Sequence, residues 1–268
     1  MMDINELLKI MSMLRDPEHG CPWDIKQTFQ TIAPHTLEEV YEVIDTIERE
    51  DYEHLANELG DLLFQVVFYA QLGQEQGHFD FNDVVSEISN KLLQRHPHVF
   101  PAASTESFGA QSTIAPDQVE ANWEAIKQSE RQQKASEDIS VLDDIPKNFP
   151  ALTRATKIQK RAAHAGFDWP DHKGVLDKIR EEIQELEEAL EEQSDVHIEE
   201  ELGDLMFTLV NLLRHLKIDS ETSLRKANEK FETRFRALEK KVAGNGDSLQ
   251  SLTLDELEEC WQEVKKTV

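Results

Sequence analysis

The sequence predicts an all-α fold built as two tandem helical bundles, and three observations carry that prediction. Apolar residues recur at three- and four-residue steps along most of the chain, which is the period of amphipathic helices. No stretch shows the sustained alternation of a strand. One acidic pattern occurs twice, offset by 143 residues. It reads Glu181-Glu182-Ile183-Gln184-Glu185 then Glu201-Leu202-Gly203-Asp204 in the second copy, and Glu38-Glu39-Val40-Tyr41-Glu42 then Glu58-Leu59-Gly60-Asp61 in the first. In both copies the last Glu of the first cluster lies 16 residues before the Glu of the second. The chain of 268 residues therefore reads as a module over 1–128, a polar linker over 129–145 and a second module over 146–268.

Taken in order, Leu7, Leu8, Met11 and Leu14 predict a first helix that stops near Asp16-Pro17. After the Gly20–Trp23 turn, Thr28 to Pro34 leads into the first acidic helix. Its partner starts near Asp51, runs through the apolar Leu59–Leu72 segment and ends at Gly73 and Gly77. Phe81 opens a helix carrying Lys91 and Arg95 that ends at His96-Pro97. Residues 102–118, rich in Ser, Thr, Ala, Gly and Pro, read as a mobile loop, with helix resuming around Val119, Trp123 and Lys127. In the second module a helix over Leu152–Ala163 precedes Gly166–Trp169, an echo of Gly20–Trp23. The second acidic pair, a helix with Asn228, Lys230 and Arg234, and a terminal helix with Trp261 complete the chain.

Periodicity places the carboxylates. Ile179, Ile183, Leu186 and Leu190 form the expected seam of one helix; Ile198, Leu202, Leu205, Leu209 and Leu212 form that of the next. Beside these seams run Lys178, Glu182 and Glu185 on one helix and Glu201, Asp204, Thr208 and Asn211 on the other. A short connection makes the pair antiparallel, so Glu182, Glu185, Glu201 and Asp204 converge at the edge of the core. Four half-desolvated carboxylates need a cation; oxygen-only ligands favour a hard ion, and Mg²⁺ commonly joins carboxylates to substrate phosphates. Gly203, between two of these ligands, gives up helix stability where a partner or phosphate can approach the backbone. Glu187, Glu188, Glu191 and Glu192 read instead as an ordinary solvated face. The spacing reaches an acidic metal site able to hold a phosphorylated ligand, and stops there.

EExxE, a gap of 16 and ExxD resemble the signature of the MazG-type all-α nucleoside triphosphate pyrophosphohydrolases. The two-copy layout, with Gly20-Cys21-Pro22-Trp23-Asp24 near the start and Arg95-His96-Pro97-His98-Val99-Phe100 closing the first copy, is similar to the two-copy members of that family. The resemblance implies tandem MazG-like modules, nucleoside triphosphates as substrates, cleavage between the α and β phosphates to the monophosphate and pyrophosphate, and a homodimer. Metal held by Glu182, Glu185, Glu201 and Asp204 would activate a water; Glu181 or Glu182 would take its proton. Lys230 and Arg234, one helical turn apart, would offset charge on the leaving pyrophosphate. Lys178, Asn228 and Trp261 complete the expected nucleotide contacts, although Trp261 reads equally as a packing anchor. The first copy has Glu39, Glu42, Glu58 and Asp61, followed by Lys91 and Arg95. Its position equivalent to Lys178 is His35 and its position equivalent to Asn228 is Ser89, so catalysis is expected in the second copy.

Composition bounds the alternatives. A formal charge of −26 argues against a nucleic-acid partner. No apolar run approaches a membrane span, and no secretory pattern opens the chain, so a cytoplasmic protein is expected. Cys21 and Cys260 form no CxxC pair and read as reduced thiols. A ferritin-like di-metal oxidase needs paired Glu-x-x-His motifs, and the single Glu75–His78 match falls in a glycine-bearing turn. The remaining rival is a non-enzymatic helical adaptor that binds nucleotide or a basic partner, separated from the enzyme by its lack of a metal requirement.

Overall fold

A computed structural model of the protein describes residues 2–109, 115, 118, 119, 122, 123, 126 and 140–267. The chain divides into two compact units, Met1–Lys134 and Ala135–Val268. The described residues form helices and turns with no strand. The first unit contains α1 (Ile4–Leu14), α2 (Pro22–Lys26), α3 (Phe29–Glu48), α4 (Tyr52–Glu75) and α5 (Phe81–Arg95). The second contains α6 (Ala151–His164), α7 (His172–Glu192), α8 (Asp195–His215), α9 (Ser220–Gly244) and α10 (Leu254–Thr267). Lys127 and most of the expected linker lie outside the described residues. Val141 and Asp143, at the end of that linker, offer their carbonyls to Arg161 on α6, and Ile145 is buried.

Each unit is organised on a helical hairpin, α3–α4 and α7–α8, whose turn is duplicated in detail. Glu50 and Gln193 occupy equivalent positions in the left-handed region, with φ of 56° and 55°. The next residue closes the preceding helix from its backbone: Asp51 N–H donates to the Thr46 carbonyl and Ser194 N–H to that of Ala189. The same residue then caps the following helix, the Asp51 carboxylate accepting from His54 N–H and the Ser194 hydroxyl from His197 N–H.

Two boundaries differ from the expected ones. Helix α3 begins at Phe29 and runs through Pro34, because Thr28 and Thr31 form a reciprocal capping box that fixes the first turn. The proline removes one donor without ending the helix. Helix α4 passes through Gly73 to Glu75; a Cβ at Gly73 would lie 2.7 Å from the Phe79 ring, so this glycine serves a close contact. Gly77, with φ of 69°, makes the turn.

The first unit buries Met11, Ile32, Val67, Phe68 and Leu72 together, with Phe29, Phe64 and Tyr69 packed around them. Arg15, at the end of α1, grips Glu75 in bidentate fashion at 2.8 and 2.6 Å and lies 5.4 Å over the Phe68 ring. In the second unit α6 packs on α8, and Gln159 Nε2 donates to the Phe207 carbonyl at 2.8 Å. Asp168 anchors the Gly166–Trp169 turn to Arg214 at 2.5 Å and His215 at 3.0 Å. A small apolar cluster of Leu238, Val242 and Val264 joins α9 to α10.

The buried positions of the second hairpin are only in part those of the expected seam. Ile183, Leu190, Leu202 and Leu209 are 43–54% exposed, whereas Glu182, Thr208 and Asn211 are buried. Ile179, Leu186, Ile198, Leu205 and Leu212 of that seam are half-buried, so the hairpin is covered partly along the seam and partly, where α6 packs against α8, along the stripe beside it.

Candidate active site

The α7–α8 hairpin brings the second acidic cluster together. One carboxylate oxygen from each of Glu182, Glu201 and Asp204 lies within 4.8 Å of the others. Glu182 is only 3% exposed; Glu201 is half-buried and Asp204 faces solvent. Lys178, one turn before Glu182, places its Nζ 2.8 Å from Glu181, 2.8 Å from Glu182 and 3.8 Å from Glu185. The hydrogen bonds to Glu181 and Glu182 hold the ammonium above the ordinary lysine range. Burial, followed by the Glu185, Glu182 and Asp204 carboxylates, raises Glu201. Oxygen donors alone, one of them removed from water, fit a hard divalent cation. Glu185 stands outside the trio and joins it through Lys178.

The first cluster gathers Glu39, Glu42 and Glu58 within the same 4.8 Å, with Asp61 to one side in contact with Asn57 at 3.4 Å. Among the described residues no ion pair joins a lysine to them. His35, equivalent to Lys178, meets Glu38 at 3.1 Å and the edge of Trp23 at 6.0 Å. Burial and then the Asp61, Glu42, Glu58 and Glu38 carboxylates raise Glu39.

The remaining expected residues sit on α9 and α10. Asn228 and Lys230 are exposed; Arg234 is half-buried and its Nε has no hydrogen-bond partner. Among the described residues no ion pair or hydrogen bond joins Lys230 or Arg234 to the carboxylates. Trp261 lies 5.4 Å from Phe231 and packs on the Leu238–Val242–Val264 cluster, next to the Lys230 segment. In the first unit Lys91 pairs with Glu87 at 3.7 Å, one turn before Arg95 on α5. An ideal Cβ on Gly203 or on Gly60 would meet nothing within 4 Å. Neither glycine serves internal packing.

Gln159, like Gln65 in the first unit, is an interior polar residue that the sequence reading passes over. It is 5% exposed, and its Oε1 has no partner. The available signal is a polar side chain at an inward phase of the α6 pattern. Cys21 and Cys260 are free thiols, and no helix among the described residues is long and apolar enough to cross a membrane.

Comparison with known proteins gives these clusters a context. The model of the MazG nucleotide pyrophosphohydrolase domain matches residues 27–100 and 171–238, segments that contain both acidic hairpins. The nucleoside triphosphate pyrophosphohydrolase of Escherichia coli (strain K12) is 54% identical over 270 residues, covering 99% of this chain and 98% of that protein. The nucleoside triphosphate pyrophosphohydrolase/pyrophosphatase MazG of Thermotoga maritima is 41% identical over 260 residues, covering 97% and 94%. The Bacillus subtilis protein YabN is 40% identical over 259 residues, which span 96% of this chain and 50% of YabN. With the domain matched once on each hairpin and full-length relatives at this identity, the chain belongs to the MazG nucleotide pyrophosphohydrolase family.

Proposed function

We propose that the protein hydrolyses nucleoside triphosphates between the α and β phosphates, releasing the monophosphate and pyrophosphate, with Mg²⁺ held in the second module. The observation that carries this reading is the Glu182–Glu201–Asp204 trio beside Lys178, within a segment matched by the family domain. The bound ion would supply charge neutralisation for the phosphates and activation of the attacking water. Glu182, Glu201 and Asp204, with Glu185 at their edge, hold it. Glu181, exposed beside them, or Glu182 takes the water's proton. Lys178, Lys230 and Arg234 offset phosphate charge, and Asn228 contacts the nucleotide. The first module keeps an acidic cluster without the lysine and is the non-catalytic copy. Module boundaries at 1–128 and 146–268 and a cytoplasmic location, where the substrates are, belong to the same reading.

The decisive experiment is ion-exchange analysis of the products formed from a panel of nucleoside triphosphates with Mg²⁺. Monophosphate and pyrophosphate are expected as first products, with turnover abolished by EDTA. Diphosphate and orthophosphate as first products overturn the assignment of the bond, and no turnover at all favours the adaptor reading.

The active form is a homodimer. Ile183, Leu190, Leu202, Met206 and Leu209 present an apolar face on the second hairpin, and the open space at Gly203 allows a second helix close to the backbone. Light scattering is expected to give twice the chain mass of 30.8 kDa at micromolar concentration. A monomer overturns this.

A further inference from the structure

We propose that Lys178 is a tethered cation competing for the ligand oxygens of the second acidic cluster, so that this cluster takes up a divalent ion chiefly together with a nucleotide whose phosphates receive the ammonium. The inference rests on the metal reading above and adds an order to it. Glu182 is almost fully buried, and a buried carboxylate requires a counter-charge. Lys178 supplies that charge at 2.8 Å, while also reaching Glu181 at 2.8 Å and Glu185 at 3.8 Å. Glu182 is at the same time one of three residues whose oxygens converge within 4.8 Å. An ammonium and a divalent cation on one carboxylate repel each other. The ion therefore enters with Lys178 in place only at reduced affinity. The lysine side chain is 31% exposed and hangs on a flexible four-carbon stem, so it can leave without disturbing α7. Triphosphate oxygens brought in with the ion are the natural acceptor for it.

The first module supplies the contrast. His35 stands where Lys178 would, but its ring nitrogen meets Glu38 and not the buried-edge Glu39. Among the described residues no ammonium pairs with Glu39, Glu42 or Glu58. Metal uptake there is independent of nucleotide.

The test is Mn²⁺ binding, followed by electron paramagnetic resonance and calorimetry, on full-length protein carrying E39Q and E42Q so that the second cluster is read alone. Without nucleotide, K178M is expected to bind Mn²⁺ about tenfold more tightly than the protein with Lys178, and K178R to bind as Lys178 does. A non-hydrolysable triphosphate analogue is expected to strengthen Mn²⁺ binding about tenfold or more with Lys178 present, and distinctly less in K178M. The reciprocal change H35K, made with E182Q and E185Q, keeps the test open if K178M folds poorly. It is expected to weaken Mn²⁺ binding to the first cluster. Equal or weaker Mn²⁺ affinity in K178M, with H35K unchanged, overturns the exchange but leaves the metal site standing. Failure of every variant to bind Mn²⁺ overturns both.

Discussion

Phe68 lies beneath the acidic hairpin of the first module, and Asn211 occupies the equivalent position in the second. Phe68 is fully buried, stacked edge-on with Phe64 and covered by Arg15. Asn211 is buried too, but its Oδ1 accepts two hydrogen bonds from Arg214, at 2.9 and 2.7 Å. The residues around them differ in part, although Gln65 is buried in the first module where Thr208 is buried in the second. Met11 packs on Val67 and Phe68 in the first module, whereas in the second Gln159 reaches the Phe207 carbonyl beside Thr208. The two hairpins share their turn, their caps and their carboxylates, and have diverged in the layer behind. An apolar layer gains hydrophobic stability, and a polar one gives up part of it.

The comparison breaks most sharply at the carboxylates. Glu182→Gln with Glu185→Gln is expected to lower turnover by about a thousandfold, worth about 4 kcal/mol of transition-state stabilisation. Glu39→Gln with Glu42→Gln is expected to leave most of the activity, with circular dichroism confirming that both pairs fold. Equal losses, or the reverse order, would place catalysis in both modules or in the first.

The interior comes next. Phe68→Ala is expected to cost about 3 kcal/mol in denaturant unfolding, because it leaves a cavity among Met11, Val67 and Leu72. Asn211→Ala should cost distinctly less stability. A larger loss at Asn211 would mean that the polar layer, and not the apolar one, holds its module together.

A third test uses the anchored turn. Burial alone would raise Asp168, but the hydrogen bonds and charges of Arg214 and His215 hold it below the ordinary carboxylate range. A depressed carboxylate stabilises the fold above its unfolded value and loses that contribution as pH falls through the folded one. Asp168→Asn is therefore expected to cost about 2 kcal/mol at neutral pH, and the difference from the parent should close in acid. A gap that persists at the lowest pH would assign the effect to shape and not to charge.

The smallest effect concerns the paired glycines. Within its own helix, Gly203→Ala should gain about 1 kcal/mol, since nothing nearby obstructs the new methyl group. If a second chain packs there, light scattering will show weaker self-association despite the better helix. A higher melting temperature with unchanged mass would remove Gly203 from the interface.

Much of this was legible from residue order. The repeat, the helices and the stripe holding Glu182, Glu201 and Asp204 follow from period and spacing, because local geometry fixes which side chains share a face. The inward face was legible only in part. Amphipathic pattern assigns Ile183 and Leu202 to a core, yet a helix pair has more than one side to cover, and only the docking of α6 decides which. Gln159 was lost for the same reason. Its partner is a backbone carbonyl 48 residues away, and no local pattern announces such a contact. Pro34 and Gly73 misled in the opposite sense, since a capping box and one aromatic ring outweighed their reputation as helix breakers.

The left-handed residue between the two acidic helices has a further consequence. Glu185 precedes Gln193 by eight residues and Glu201 follows it by eight; Glu182 and Asp204 are each eleven away. The same intervals surround Glu50, with Glu42 and Glu58 at eight and Glu39 and Asp61 at eleven. The motif is a palindrome of distances, and the left-handed residue is its fold line. Doubling the chain back there brings three of the four carboxylates of each copy within 4.8 Å of one another. Adding or removing one residue on either arm would swing every later side chain by about 100°, carrying the acids off the shared face. Substitutions along the arms leave the mirror intact. Between these acids, the quantity under constraint is length.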